Sequence, residues 1–149
     1  MYELSCPKYY FPYKGKCLYK SEFSGTLWEN KEICALHGGI VLPIKTKGQF
    51  EFIKSHAKAS LAGNIYLGMN NTDGKMMQTD KTEYTSASYD FNGDSVKFGR
   101  LQCVYLKKGI GYLPREDVCE KNYESYCQWI GEILIIHDSS SFKKMASFW

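Results

Sequence analysis

Three side-chain oxygens recur at alternate positions in the stretch YDFNGDSVKF, on Asp90, Asn92 and Asp94. Carboxylate and amide oxygens are what a hard cation such as Ca²⁺ takes as ligands. The run matches the start of an EF-hand loop, but Gly93 stands at the fourth place instead of the sixth and no Glu closes it. From 89 to 119, five basic side chains face four acidic ones, so the segment does not attract a divalent cation. A plain Asx-rich turn therefore stands ahead of a metal site. Calcium is kept as the weaker alternative, with Asp90, Asn92 and Asp94 as its candidate ligands, and no other cofactor is expected.

Catalytic chemistry has less to work with. His37 lies beside Gly38-Gly39, His56 is expected on the polar side of a helix, and His137 falls near the C-terminus. None has a neighbour that suggests a triad or a metal pair. The six cysteines, Cys6, Cys17, Cys34, Cys103, Cys119 and Cys127, form an even set without a C-x-x-C pair. That argues against zinc and for three disulfides in an oxidising compartment, with six free buried thiols as the competing reading. Paired cysteines leave no thiol nucleophile, and the expectation is a protein that is not an enzyme.

The elements that position these residues follow from local pattern. In 149 residues, 44% hydrophobic and 15% aromatic with 12 Tyr and 8 Phe, there is material for one compact core. A net charge of +3 with interleaved signs does not make a nucleic-acid binder. No apolar run approaches the ~20 residues needed to span a bilayer. Met1 to Ser5 lack the basic and apolar regions of a signal peptide, so the chain reads as a mature or trimmed ectodomain.

CPKYYFPYKGKCLYK, residues 6 to 20, has the alternation of a hairpin held by Cys6 and Cys17. Thr26 and Glu29 have capping-box spacing ahead of a helix that puts Leu27, Trp28, Cys34 and Ala35 on one face and stops at Gly38-Gly39. Thr46 and Gln49 repeat the capping spacing before Phe50, Ile53, Ala57 and Leu61. From Asn64 onward short runs such as IYLGM, CVYL and SYCQWI alternate with Gly, Asn and Asp clusters, so strands and long loops follow the helices. Helices early and strands late make an α+β fold, without internal repeats. Ile133 to Ile136 could add an edge strand or promote self-association, and SSSFKKMASFW reads as a tail. Asn70-Asn71-Thr72 is an N-glycosylation sequon, consistent with a secretory route and expected in a loop.

In order along the chain stand the Cys-Pro hairpin, Trp28 to Cys34 before Gly38-Gly39, Phe50 to Ile53, Tyr66-Leu67-Gly68-Met69, Cys103-Val104-Tyr105-Leu106, and Cys119 through Tyr126-Cys127. This pattern resembles a long-form C-type lectin-like domain over about residues 6 to 130, leaving 131–149 as an extension. The resemblance implies two helices, a small antiparallel sheet, a long loop region and three disulfides. It selects the pairs Cys6–Cys17, Cys34–Cys127 and Cys103–Cys119 among 15 connectivities.

Departures from the family pattern bear on function. The family's Trp-x-Trp-x-Asp-Gly run is replaced by Met76, Gln78, Asp80 and Lys81, so packing under the loops must differ. Sugar-binding members hold Ca²⁺ with Glu-Pro-Asn or Gln-Pro-Asp in the long loop and with acids further on. Here the loop has no proline, Leu101-Gln102 precede Cys103, and GYLPREDVC has no Trp-Asn-Asp. The chain is thus most similar to the natural-killer-cell-receptor-like branch. That likeness implies an extracellular domain, secreted or the ectodomain of a type II membrane protein, which binds a cell-surface protein without calcium and could form a homodimer. The alternative is a lectin that binds glycan through a degenerate calcium site. The implied partner surface carries Tyr89, Phe91, Lys97, Phe98, Arg100, Tyr112 and Arg115, because aromatic and Arg side chains dominate interface energetics.

Overall fold

The computed structural model describes residues 6–84 and 102–131. The hairpin strands β1 (Phe11–Tyr13) and β2 (Lys16–Lys20) lead into helix α1 (Leu27–Leu36), strand β3 (Gly39–Val41) and helix α2 (Lys47–Ala59). The strands β4 (Ile65–Thr72), β5 (Lys75–Gln78), β6 (Cys103–Lys107), β7 (Leu113–Asp117) and β8 (Glu124–Trp129) complete the element order. Eight strands share one sheet in the order β1-β2-β8-β4-β6-β7, with β3 added on β8 and β5 on β4. All pairings are antiparallel except β4 with β8, where Ile65 lies opposite Glu124 and Tyr66 opposite Ser125. The sheet is therefore mixed and larger than the small antiparallel one expected, because the chain makes a long crossover before β8 can join β4.

Local chemistry explains both helix starts. The Thr26 hydroxyl accepts from the Glu29 N–H at 3.2 Å, and the Glu29 carboxylate accepts from the Thr26 N–H at 3.0 Å, which completes a capping box. At α2 only half of that arrangement forms. Thr46 accepts from the Gln49 N–H, but the Gln49 side chain turns to the Lys45 N–H at 2.8 Å.

The buried faces of the helices differ from the expected stripes. Helix α1 buries Leu27, Asn30 and Cys34, while Trp28 is 47% exposed and Ala35 faces outward. Asn30 takes the core position because all its polar capacity is met. Its amide donates to Gly25 O, Thr26 O and Tyr123 O, and its oxygen accepts from the Ser125 hydroxyl at 2.7 Å. In α2, Phe50, Ile53 and Ala57 are buried as expected, but the helix ends at Ala59, and Leu61 stands 80% exposed with a left-handed φ of 56°.

Alternation along the strands feeds two cores, one on each face of the sheet. Ile65, Leu67 and Met69 of β4, Val104 and Leu106 of β6 and Tyr126 of β8 pack with Phe50, Ile53 and Ala57 of α2. Tyr66, Cys103, Tyr105, Cys127 and Trp129 pack with Leu27 and Cys34 of α1. A sheet covered on both faces explains why these strands read as continuous apolar runs. Three bridges tie the layers together: Cys6–Cys17 closes the hairpin, Cys34–Cys127 joins α1 to β8, and Cys103–Cys119 links β6 to the segment after β7. These are the pairs that the family resemblance implies.

His56 departs from its expected place on the polar side of α2. Its ring stacks on Phe11, with centroids 4.8 Å apart and 12° between planes, and Nδ1 shares a hydrogen bond with the Tyr126 hydroxyl at 2.6 Å. Burial, with a smaller contribution from Lys20, holds its pKa below the ordinary 6.5. Lys20 itself pairs with Glu124 at 2.6 Å. Since unfolding lets His56 return to its ordinary value, the unfolded chain binds more protons in the window just below 6.5. The stability owed to a neutral His56 is fully present above that value and is lost as pH falls toward the folded-state pKa. The urea midpoint is expected to drop between pH 7.5 and 5.5 in the native protein, with a flatter profile in His56→Gln. Equal profiles in the two proteins would contradict the assignment.

Candidate binding surface

The β6–β7 end of the sheet is where the sequence placed a partner. Tyr89, Phe91, Lys97, Phe98 and Arg100, and the candidate ligands Asp90, Asn92 and Asp94, lie outside the described residues, as do His137 and the run Ile133 to Ile136. Of the expected partner residues, Tyr112 and Arg115 are described, and they part company. Arg115 is exposed on β7, opposite Tyr105 of β6, and its Nη1 donates to Pro114 O at 2.7 Å. Tyr112 is only 5% exposed. Its backbone turns left-handed at φ 59°, which sends the ring inward, and the hydroxyl donates to Ala62 O at 2.6 Å. Tyr112 is thus a core residue and not part of an accessible surface.

Beneath this end a group of tyrosines sets the position of the segment after β7. Tyr105 and Tyr123 stack at 4.5 Å, and Tyr66 meets Tyr123 at 5.0 Å. The Tyr66 hydroxyl donates to Cys119 O at 3.1 Å and to Lys121 O at 2.6 Å. The Tyr66 ring therefore fills the core while its hydroxyl serves the Lys121 carbonyl and shares the Cys119 carbonyl with the Leu27 N–H.

Asp117 is the acid nearest the family's calcium tract, and it serves the fold. One oxygen accepts from the Val118 N–H at 2.7 Å and the other from the Tyr123 hydroxyl at 3.0 Å. Burial first, and Asp117 second, push the Tyr123 phenol well above its ordinary range. Among the described residues no three His, Cys, Asp or Glu side chains stand together as a metal site.

The replaced tryptophan run packs as the sequence reading required, with different side chains. Met76 and Gln78 are buried, and Asp80 pairs with Lys45 at 2.8 Å. Burial pushes the Asp80 carboxyl up, but hydrogen bonds from Lys45 and Thr82 outweigh it and hold the group below the usual range. Asn70 of the sequon lies inside β4, not in a loop, three residues before a turn at Asp73 and Gly74 that is left-handed at both positions. That is the two-residue Asp-Gly hairpin geometry.

A second concavity was not foreseen. Trp28 and Lys31 of α1, Ile40 and Val41 of β3, and Asn70 and Gln78 of the β4–β5 hairpin line a cavity of about 550 Å³. The signal was available in Trp28 and Lys31 three residues apart, but placing Trp28 in the core concealed it.

A mixed sheet stapled by disulfides and covered by one helix on each face is the architecture of a domain from an oxidising compartment. It is a binding domain and not an enzyme. The profile of the Lectin C-type domain matches residues 24–129, and the chain belongs to that family. It is 26% identical over 122 residues to the rat C-type lectin domain family 2 member D3, covering 78% of this chain and 45% of that protein. It is 33% identical over 55 residues to the mouse killer cell lectin-like receptor subfamily B member 1F, covering 37% of this chain and 25% of that one. The chain thus spans less than half the length of these curated relatives. Among solved structures, the C-type lectin domain of murine dendritic cell inhibitory receptor 2, determined in complex with N-glycan, superposes with a TM-score of 0.71 at 21% identity, covering 85% of this chain and 100% of that one. A calcium-independent type II antifreeze protein gives a TM-score of 0.68 at 18% identity, covering 85% and 95%. At these identities the structures establish the fold. Among the described residues no helix is long and apolar enough to cross a membrane.

Proposed function

We propose that the domain recognises a protein partner at a cell surface without calcium, through the sheet end built by β6, β7 and the adjoining long loop. The observation that carries this reading is the state of the β7 tract. Asp117, the last residue of β7, has both oxygens committed to Val118 and Tyr123, and Arg115 is exposed on the same strand. Arg115 suits a protein interface, where Arg is enriched among the residues that dominate affinity. The likeness to a killer cell lectin-like receptor supports the same reading, in which the domain is the ectodomain of a type II membrane protein and pairs with a second copy.

The test uses the soluble, disulfide-bonded domain. Millimolar Ca²⁺ is expected to leave its melting temperature where EDTA leaves it, because a ligand that binds only the native state would raise it. Binding to receptor-bearing cells is expected to survive EDTA and glycosidase treatment of the cells, to disappear after protease treatment, and to weaken about tenfold or more in Arg115→Glu. A clear calcium-dependent rise in melting temperature, or binding abolished by EDTA, would instead establish a calcium-dependent lectin.

A further inference from the structure

The C-terminal end of α1 is ringed by apolar side chains that face solvent. Tyr9 is 66%, Leu36 67% and Ile130 58% exposed, each more open than Trp28. They come from three segments that meet at His37 and Gly38. The Tyr9 ring lies 6.5 Å from the Tyr19 ring, which lies 5.1 Å from the ring of His37. Leu36 is the last residue of α1, directly before His37, and the Ile130 N–H donates to Gly38 O at 3.2 Å. Apolar residues exposed singly need no explanation, but several gathered at one place mark a surface that something covers.

The chain itself leads there. Strand β8 ends at Trp129, and the backbone bends at Gly131. The Trp129 indole sits so close to Gly38 and to Gly131 that a Cβ at either would overlap the ring. Gly131 is therefore held against the indole, beside the end of α1. Residues 132–149 lie outside the described residues and start from this bend. They open with Glu132 and then Ile133-Leu134-Ile135-Ile136, four apolar residues in succession. Four extended residues reach about 13 to 14 Å, which exceeds either ring-to-ring step between Tyr9 and His37. An uncovered apolar surface and an apolar run are thus joined by a single bend. A segment tethered this closely has an effective concentration on the order of millimolar, which favours it over a second copy of the chain. Charge agrees with this occupant. Lys8, whose amine lies 5.1 Å from the Tyr9 ring centroid, makes no ion pair among the described residues, and Glu132 and Asp138 flank the apolar run.

We propose that the end of α1 is a docking surface for the chain's own C-terminal segment, with Ile133 to Ile136 lying across Tyr9, Leu36 and Ile130. The segment then belongs to the folded domain, and this end of the molecule is withdrawn from partner binding. Tyr19 is on β2 and Ile130 follows β8, whereas β4 and β6 separate β8 from Arg115 on β7. The docking can therefore fail while the protein-recognition reading stands.

The test uses the full chain, labelled at its Ile and Leu methyls. Nuclear Overhauser contacts are expected from the methyls of Ile133 to Ile136 to the Tyr9 ring and to the methyls of Leu36 and Ile130. A sample that mixes labelled and unlabelled copies separates contacts within one chain from contacts between two. Amides 133 to 136 are expected to exchange at least tenfold more slowly than in an unprotected chain. Tyr9→Ser combined with Leu36→Ser is expected to remove that protection while the amides of β4 and β8 keep theirs, since both replaced side chains face solvent. Contacts only between copies, contacts to another face of the molecule, unprotected exchange at 133 to 136, or protection undiminished in the double variant would each overturn the proposal. Should the double variant not fold, the contacts in the native chain still decide.

Discussion

Replacing Cys34 and Cys127 together by alanine is expected to destabilise the domain by about 4 to 5 kcal/mol, the largest effect of any bridge. The pair closes a loop of 93 residues, whereas Cys6–Cys17 spans 11 and Cys103–Cys119 spans 16. In the chain-entropy account the shorter two contribute about 3 kcal/mol each, so the ranking is the sharper test. Both Cys34 and Cys127 are fully buried between α1 and β8, and alanine avoids placing a hydroxyl there. A domain whose total stability is on the order of 5 to 15 kcal/mol would retain little. Urea denaturation of the three double variants, with the remaining bridges intact, measures the order directly. A Cys34–Cys127 variant as stable as the Cys6–Cys17 variant would show that the unfolded chain is already constrained by other means.

Gly68→Ala is expected to cost on the order of 3 kcal/mol, at the upper end of overpacking effects. A Cβ on Gly68 would stand 2.3 Å from Val41 O and 2.7 Å from Leu42 O, and neither backbone oxygen can swing aside as a flexible side chain could. Leu42 O also accepts from the Gly68 N–H at 3.0 Å, so separating the strands to make room breaks that bond. The control is Gly48→Ala, in α2, where the nearest neighbouring atom is the Lys14 Nζ at 4.0 Å. That change is expected to stabilise by roughly 0.5 to 1 kcal/mol through helix propensity. Thermal melts of the pair should therefore move in opposite directions, and a Gly68→Ala protein that melts with the native one would contradict the close approach of β3 and β4.

Gly68 also shows where reading along the chain reaches its limit. The motif Tyr66-Leu67-Gly68-Met69 was recognisable, but why its third residue must lack a side chain depends on β3, nearly thirty residues earlier in the chain. Asn30 is similar. A polar residue on a helical face reads as solvent-facing until Gly25, Tyr123 and Ser125 are seen to satisfy it. Asn30 holds the core position on α1, and Trp28 is turned outward to line the cavity beside β3.

The two tyrosines expected and found in different settings carry the same lesson. Tyr112 lies in a Gly-rich turn that reads as surface, yet a left-handed backbone directs its ring to Ala57 and Ala62 at the end of α2. Tyr66 reads as one ring in the apolar IYLGM run, yet its hydroxyl holds the Cys119 and Lys121 carbonyls.

What the sequence by itself determined is whatever depends on neighbours within a few residues: the Thr26 capping box, the Thr46 cap, the Cys6–Cys17 hairpin, and the succession of two helices followed by strands. Motif order added the family and its bridges. The tertiary structure alone decided which helix covers which face of the sheet, the parallel junction of β4 with β8, the inward turn of Tyr112 and His56, and the meeting of Trp28, Lys31, Gln78 and Lys81 around one cavity. The physical reason is that caps and periodicity are set by local hydrogen bonds and side-chain spacing. Burial of a polar group, by contrast, is settled by whether distant segments bring it a partner, and that condition leaves no periodic mark in the chain.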